Sequence, residues 1–155
     1  MIDPALGSLG AQIVLAASSD ENHPPENIID GNTETFWMST GMFPQEFIIR
    51  FAESMKIALV TMHCYNVKTL KIEKSISDDA TDFEAISEKE FEHTEGHLQT
   101  NDIPLNGTTA THLRFIVTSG YDHFVSVHRM NVVPSGIWKL LPRMNQICGD
   151  LQFVF

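Results

Sequence analysis

The chain has 155 residues, 43% of them hydrophobic, and 10 Lys and Arg stand against 20 Asp and Glu, a formal charge of -10. That length fits one domain, or one domain with a tail, and a mean hydropathy of -0.07 favours neither a disordered chain nor a membrane protein. The acidic balance excludes sequence-independent nucleic-acid binding, which needs cations to release counterions, and opposes attraction to an anionic membrane surface.

Taken in chain order, the N-terminus carries no signal-peptide pattern, because the first basic residue is Arg50 and the apolar piece Ile13 to Ala17 is short. Residues 12–17 are predicted as a first strand. The segment from Pro24 to Trp37 is a loop rich in oxygen side chains: Asn27, Asp30, Asn32, Glu34 and Thr35, with Gly31 permitting a sharp reversal. Residues 46–51 alternate, with Phe47, Ile49 and Phe51 on one face. Residues 56–65 are apolar on both faces, the pattern of a central strand covered on two sides. Leu70 and Ile72 form the buried face of a strand over 69–73. Residues 82–93 read as an acidic helix or as short strands. Asn106-Gly107 is a turn signal, as are Asp30-Gly31, Phe43-Pro44, Asp78-Asp79 and Ser119-Gly120. Leu113, Phe115 and Val117 mark another strand over 112–118, and the β-branched stretch 124–133 is the last. The alternation stops after Val133, so residues 1–133 are predicted as the domain and 134–155 as a tail.

Many short strands and no long amphipathic helix predict an all-β fold, an antiparallel β-sandwich or jelly roll. Cys64 and Cys148 are the only cysteines, too few for a secreted disulfide framework, and no Cys/His cluster supports a structural zinc. Reduced thiols in a cytosol-like compartment are therefore expected, and the sequon at Asn106 then stays unmodified. None of the seven histidines sits in a nucleophile or metal-helix motif, so catalysis is rejected.

The string Asp30-Gly31-Asn32, Thr35 and Trp37, followed by an alternating strand, resembles the galactose-binding-like (discoidin, or F5/8 C-type) jelly roll. A wider set of segments, 18–21, 23–32, 40–49, 69–75, 93–96 and 122–124, resembles the intraflagellar transport protein 25 family from about Ile13 to His128. The resemblance implies a non-catalytic adaptor subunit of the ciliary intraflagellar transport B complex, found in cilium and cytoplasm and supporting export of ciliary cargo. It implies as partners a Rab-like small GTPase, intraflagellar transport protein 27, and other subunits of that complex, with neither nucleic acid nor membrane insertion. It also implies a Ca²⁺ ion held by Asn27, Asp30 and Thr35, completed by backbone carbonyls around Val125 to His128.

Met42 and Phe43 are candidates for partner contact, because exposed Met and Phe suit interface cores; capping of the sandwich end is the competing role. The alternative function is a calcium-dependent, lectin-like carbohydrate-binding module. Against it, the loop around Met42 and Phe43 has no adjacent basic or amide cluster to bind a sugar's hydroxyls.

Overall fold

A computed structural model describes residues 3–135. Seven strands run through them: β1 (Gln12–Ala16), β2 (Trp37–Met38), β3 (Gln45–Tyr65), β4 (Val67–Ser75), β5 (Glu84–Glu90), β6 (Gln99–Gly120) and β7 (Ser126–Pro134). All their pairings are antiparallel.

Two long strands organise the architecture. The first part of β3 pairs with the second part of β6, from Gln45 opposite Val117 to Arg50 opposite His112. It carries β1 on its other edge, while β4 and then β5 extend the layer beyond β6. The second part of β3 pairs with the first part of β6, from Met55 opposite Ala110 to Cys64 opposite Gln99, and carries β7 and β2. Both long strands thus cross from one layer to the other, with the corner of β3 at the register break between Arg50 and Met55. The inward faces enclose one core, and the result is the expected β-sandwich jelly roll.

Alternation sets that core. Phe47, Ile49 and Phe51 of β3 point inward, as do Leu113, Phe115 and Val117 of β6 and Leu70 and Ile72 of β4. Phe47 stacks on its cross-strand partner Phe115 at 5.0 Å and meets the edge of Trp37, from the opposite layer, at 5.5 Å. The Trp37 indole is fully buried, and its nitrogen donates to the Ser18 carbonyl at 2.8 Å, so burial leaves no orphan donor.

Several expectations need correction. The run 56–65 is not a strand covered on both sides. A bulge between Ile57 and Leu59 flips the parity, so Ile57 and Val60 both enter the core while Leu59 turns outward. The segment 82–93, open in the sequence between an acidic helix and short strands, forms one strand, β5, paired to β4. Helix propensity in Glu88-Lys89-Glu90 yields to the unpaired edge of β4, and the charges then blunt the new edge. Asn106-Gly107 has the left-handed pair of a tight turn, φ 56° and 81°, yet it makes no hairpin. It kinks β6 internally, opposite the β3 bulge, where Thr108 pairs with Ile57 and Pro104 with Leu59. The first part of β6, around Gln99 to Leu105, was not expected at all, because Pro104 and a polar composition mask its period; Ile103 and Leu105 are nonetheless buried. The expected tail begins within the last turn of strand, since Pro134 pairs with Ile57, and from 136 onward it lies outside the described residues.

Candidate functional site

The oxygen-rich loop leaves a 3₁₀ turn, Pro25–Ile29, whose Ile28 and Ile29 are buried and fix its position on the core. Pro24 and Pro25 preset the extended entry and the first turn position. Gly31 follows Asp30 at φ +78°, a left-handed conformation that favours glycine, and a Cβ there would also press on Leu6 Cδ2 at 3.0 Å. Two Asx turns then close the loop: Asp30 Oδ1 accepts from the Asn32 amide at 2.9 Å, and Asn32 Oδ1 accepts from the Glu34 amide at 2.8 Å. The Thr35 hydroxyl is hydrogen-bonded to Asp30 Oδ2 and lies 3.2 Å from the Asn32 carbonyl. Asn27 Nδ2 donates to the Phe36 carbonyl at 3.0 Å, which leaves Oδ1 as the amide atom for a cation.

Of the sequence-predicted metal residues, Asp30 and Thr35 meet in the loop, while Asn27 is tied to the Phe36 carbonyl. A carboxylate, a hydroxyl and a carbonyl converge at Asp30, Thr35 and Asn32, and this all-oxygen chemistry fits Ca²⁺ rather than a softer metal. Among the described residues no group of three His, Cys, Asp or Glu stands together, so a cation here would depend on neutral oxygens around one carboxylate.

What fastens the loop to the sandwich was not foreseen. His128 on β7 donates from Nδ1 to the Thr33 carbonyl at 2.7 Å, and its ring stacks on Phe36 at 4.8 Å. Phe36 stacks in turn on His23 at 4.1 Å. Three planar rings therefore clamp both ends of the loop to β7. The only trace in sequence is that Phe36 sits beside the core residue Trp37, while the two histidines are remote. Of the carbonyls expected to assist, Val125 O accepts from the Ser39 amide at 3.0 Å.

Met42 and Phe43 part company. Met42 is 88% exposed, whereas Phe43 is half-buried against the core. Together with Thr40, Gly41, Asp122 and His123 they line an open groove of about 440 Å³. Phe43 packs on the core at this end of the sandwich, and Met42 stands out in solvent.

The buried Cys64 thiol donates to Gln99 Oε1 at 3.4 Å, and burial pushes its pKa far up, so it is an inert thiol. Burial, then the Arg129 charge, lowers the pKa of His63 against an opposing pull from Asp102. Burial, then Arg50, does the same to His112 against Asp78. No helix among the described residues is long and apolar enough to cross a membrane.

The chain resembles known proteins in sequence and in fold. The F5/8 type C domain family matches residues 14–131. The human protein named intraflagellar transport protein 25 homolog is 55% identical over 130 residues, covering 84% of this chain and 90% of its own. Intraflagellar transport protein 25 of Chlamydomonas reinhardtii is 39% identical over 133 residues, covering 86% and 70%. A Clostridium perfringens family 32 carbohydrate-binding module, solved with GalNAc-β-1,3-galactose, superposes with a TM-score of 0.71 at 22% identity, over 83% of this chain and 96% of that one. This last likeness is one of fold. With a relative more than half identical over nearly its full length, the chain belongs to the intraflagellar transport protein 25 family, within the F5/8 type C domains.

Proposed function

We propose that the protein is a non-catalytic adaptor subunit of the intraflagellar transport B complex. It works in cilium and cytoplasm by pairing with a Rab-like small GTPase, intraflagellar transport protein 27, and it supports export of ciliary cargo. The observation that carries the proposal is 55% identity over 84% of the chain to a protein of that name. At that level the surface as well as the core is shared, and a partner reads the surface. The Asp30 loop serves as a calcium site that stiffens one end of the sandwich, with Asn27, Asp30 and Thr35 as ligands. When bound, the ion would supply charge neutralisation and loop rigidity. A permanent pair with the GTPase should bury roughly 1,500–2,500 Å².

The test is co-expression of the full chain with the Rab-like GTPase and gel filtration. A stable 1:1 complex is expected, and a chain ending at Ser135 should co-elute equally, because the family match ends at residue 131. Separate elution of the two proteins, together with saturable binding in a glycan screen, would replace the adaptor with the lectin-like module.

A further inference from the structure

The connection from β4 to β5, residues 76–83, belongs to the layer opposite the one whose β7 clamps the Asp30 loop. It is acidic: Asp78, Asp79 and Asp82 are all exposed, and Glu84, at the start of β5, has a side chain 72% exposed. Thr81 stands among these four carboxylates, with Asp82 one position after it and Glu84 three positions after it. Thr81 is itself exposed, and among the described residues its hydroxyl has one hydrogen-bond partner, the Ser77 hydroxyl at 3.1 Å.

A carboxylate three residues beyond a hydroxyl is what a kinase with a basic substrate groove reads, since its cations pair with that charge while the hydroxyl enters the catalytic centre. Five hydroxyls of the chain have one: Ser18, Ser75, Thr81, Ser87 and Ser119. The fold withholds four of them. Ser18 Oγ donates to Gln45 Oε1 at 2.6 Å and accepts from the Thr40 amide at 2.9 Å. Ser75 is 1% exposed. Ser87 lies inside β5, opposite Ile72, and Ser119 lies in β6, where its hydroxyl donates to Thr69 at 2.9 Å. Thr81 alone is both exposed and outside a strand. Its backbone also opens readily for an enzyme. Ala80 and Asp82, on either side, sit at φ 53° and 58°, a left-handed region that side chains disfavour, so extending the segment relieves both. The local bonds to break are few: the Ala80 amide to the Ser77 carbonyl at 3.2 Å, and Ser75 Oγ to the Thr81 carbonyl at 2.5 Å.

We propose that Thr81 is a phosphorylation site for an acid-directed serine/threonine kinase. Thr81 Oγ1 attacks the γ-phosphorus of ATP, the bond from that phosphorus to the bridging oxygen breaks, and ADP leaves. The hydroxyl proton passes to the catalytic aspartate of the kinase, while Asp82 and Glu84 pair with the cations of its groove. The new group carries about 1.5–2 negative charges and stands in sequence among Asp78, Asp79 and Asp82. Like charge on both sides opens residues 76–83 locally and leaves Leu70 and Ile72 of β4 in the core. The modification is independent of the GTPase pairing and is read on the free chain.

The test incubates the folded full-length chain with casein kinase II, an acid-directed enzyme, in the presence of ATP and Mg²⁺. A gain of one phosphate in the intact mass is expected, and fragmentation of the tryptic peptide 75–89 should place it on Thr81. Thr81→Val should abolish incorporation, and Glu84→Gln should slow it by about tenfold through loss of one charge pair with the enzyme. Both positions are exposed, so the melting temperature of each variant should match that of the parent chain. Amide shifts on phosphorylation should centre on residues 76–83. Phosphate on Ser75, Ser77 or Ser87 in place of Thr81, incorporation only into the heat-denatured chain, no incorporation at all, or an unchanged rate in Glu84→Gln would each overturn the proposal.

Discussion

His128 Nδ1 and the Thr33 carbonyl, 95 residues apart in sequence, lie 2.7 Å from each other. This one bond, backed by the Phe36 stack, couples the Asp30 loop to β7. Replacing His128 with Ala removes the donor and one stacked ring. The expected cost is about 1–2 kcal/mol, or a melting temperature lower by about 3–6 °C for a domain of this size. Thermal unfolding measures it directly, and a change within 1 °C would contradict the coupling.

Calcium binding predicts a linked stability. With the ion at about 100 times its Kd the folded state gains about 2.7 kcal/mol, so chelation should lower the melting temperature by several degrees. Asp30→Ala should abolish that response, since it removes the one carboxylate of the set, and Asn27→Ala should diminish it. Identical melting curves with and without chelator at millimolar calcium would exclude the site.

Acid should destabilise the domain through His63 and His112. Their folded-state pKa values lie below the ordinary 6.5, so the unfolded chain binds more protons as pH falls past that value. Stability is therefore full above about pH 6.5 and declines below it, until the folded-state values are reached. His112→Gln should flatten the decline between pH 6.5 and 5. A melting temperature independent of pH over that window would contradict the assignment.

Arg114 sits between two carboxylates on the outer face. Its Nη2 and Nε donate to Glu46 Oε2 at 2.6 and 3.0 Å, Nη1 lies 3.3 Å from Glu73 Oε1, and the Phe83 ring covers the guanidinium at 5.5 Å. Arg114→Ala leaves Glu46 without its cation and leaves Glu73 only Lys71, 3.6 Å away. A loss of about 1–2 kcal/mol is expected after allowance for solvent screening. Lysine should restore only part of it, because one ammonium cannot reproduce the fork. Full rescue by Lys in denaturant titrations would show the guanidinium geometry to be irrelevant.

Gly120 ends β6 where Phe43, Asn66 and Val125 crowd it. A Cβ there would fall 2.6 Å from Phe43 Cζ and 2.7 Å from the Asn66 carbonyl, and the second of these is backbone and cannot yield cheaply. Gly120→Ala should cost about 1–3 kcal/mol by overpacking. Phe43→Leu should recover part of that loss in the double variant, a non-additivity that a simple backbone-entropy effect would not produce.

The strands around Phe47, Leu70 and Phe115 were legible because their side chains alternate, and a sandwich needs little else. Where the chain changes parity, periodicity misleads: the bulge at Ala58 mimics a doubly covered strand, and Asn106-Gly107 spends a hairpin signal on a bend. Strand β5 was ambiguous because its form is imposed by the edge of β4 rather than by its own residues. The candidate metal set, Asn27, Asp30 and Thr35, lies within one loop and was visible in the sequence once the family resemblance was seen. The clamp of His23, Phe36 and His128 is made by elements distant in sequence, and no local pattern records it.

The crossing of β3 and β6 between layers has a kinetic consequence. Their ladder runs from Gln45 opposite Val117 to Cys64 opposite Gln99 with two register breaks, so neither layer exists without a share of the other. Nearly every pairing in it closes a long stretch of chain before any contact rewards it, which places the domain among slow folders of high contact order. The inner end, Cys64 with Gln99, closes the shortest loop, one that already contains the β4–β5 hairpin. Zippering outward from there would let the corner set both layers at once, so unfolding should be a single all-or-none event in which the sheets melt together.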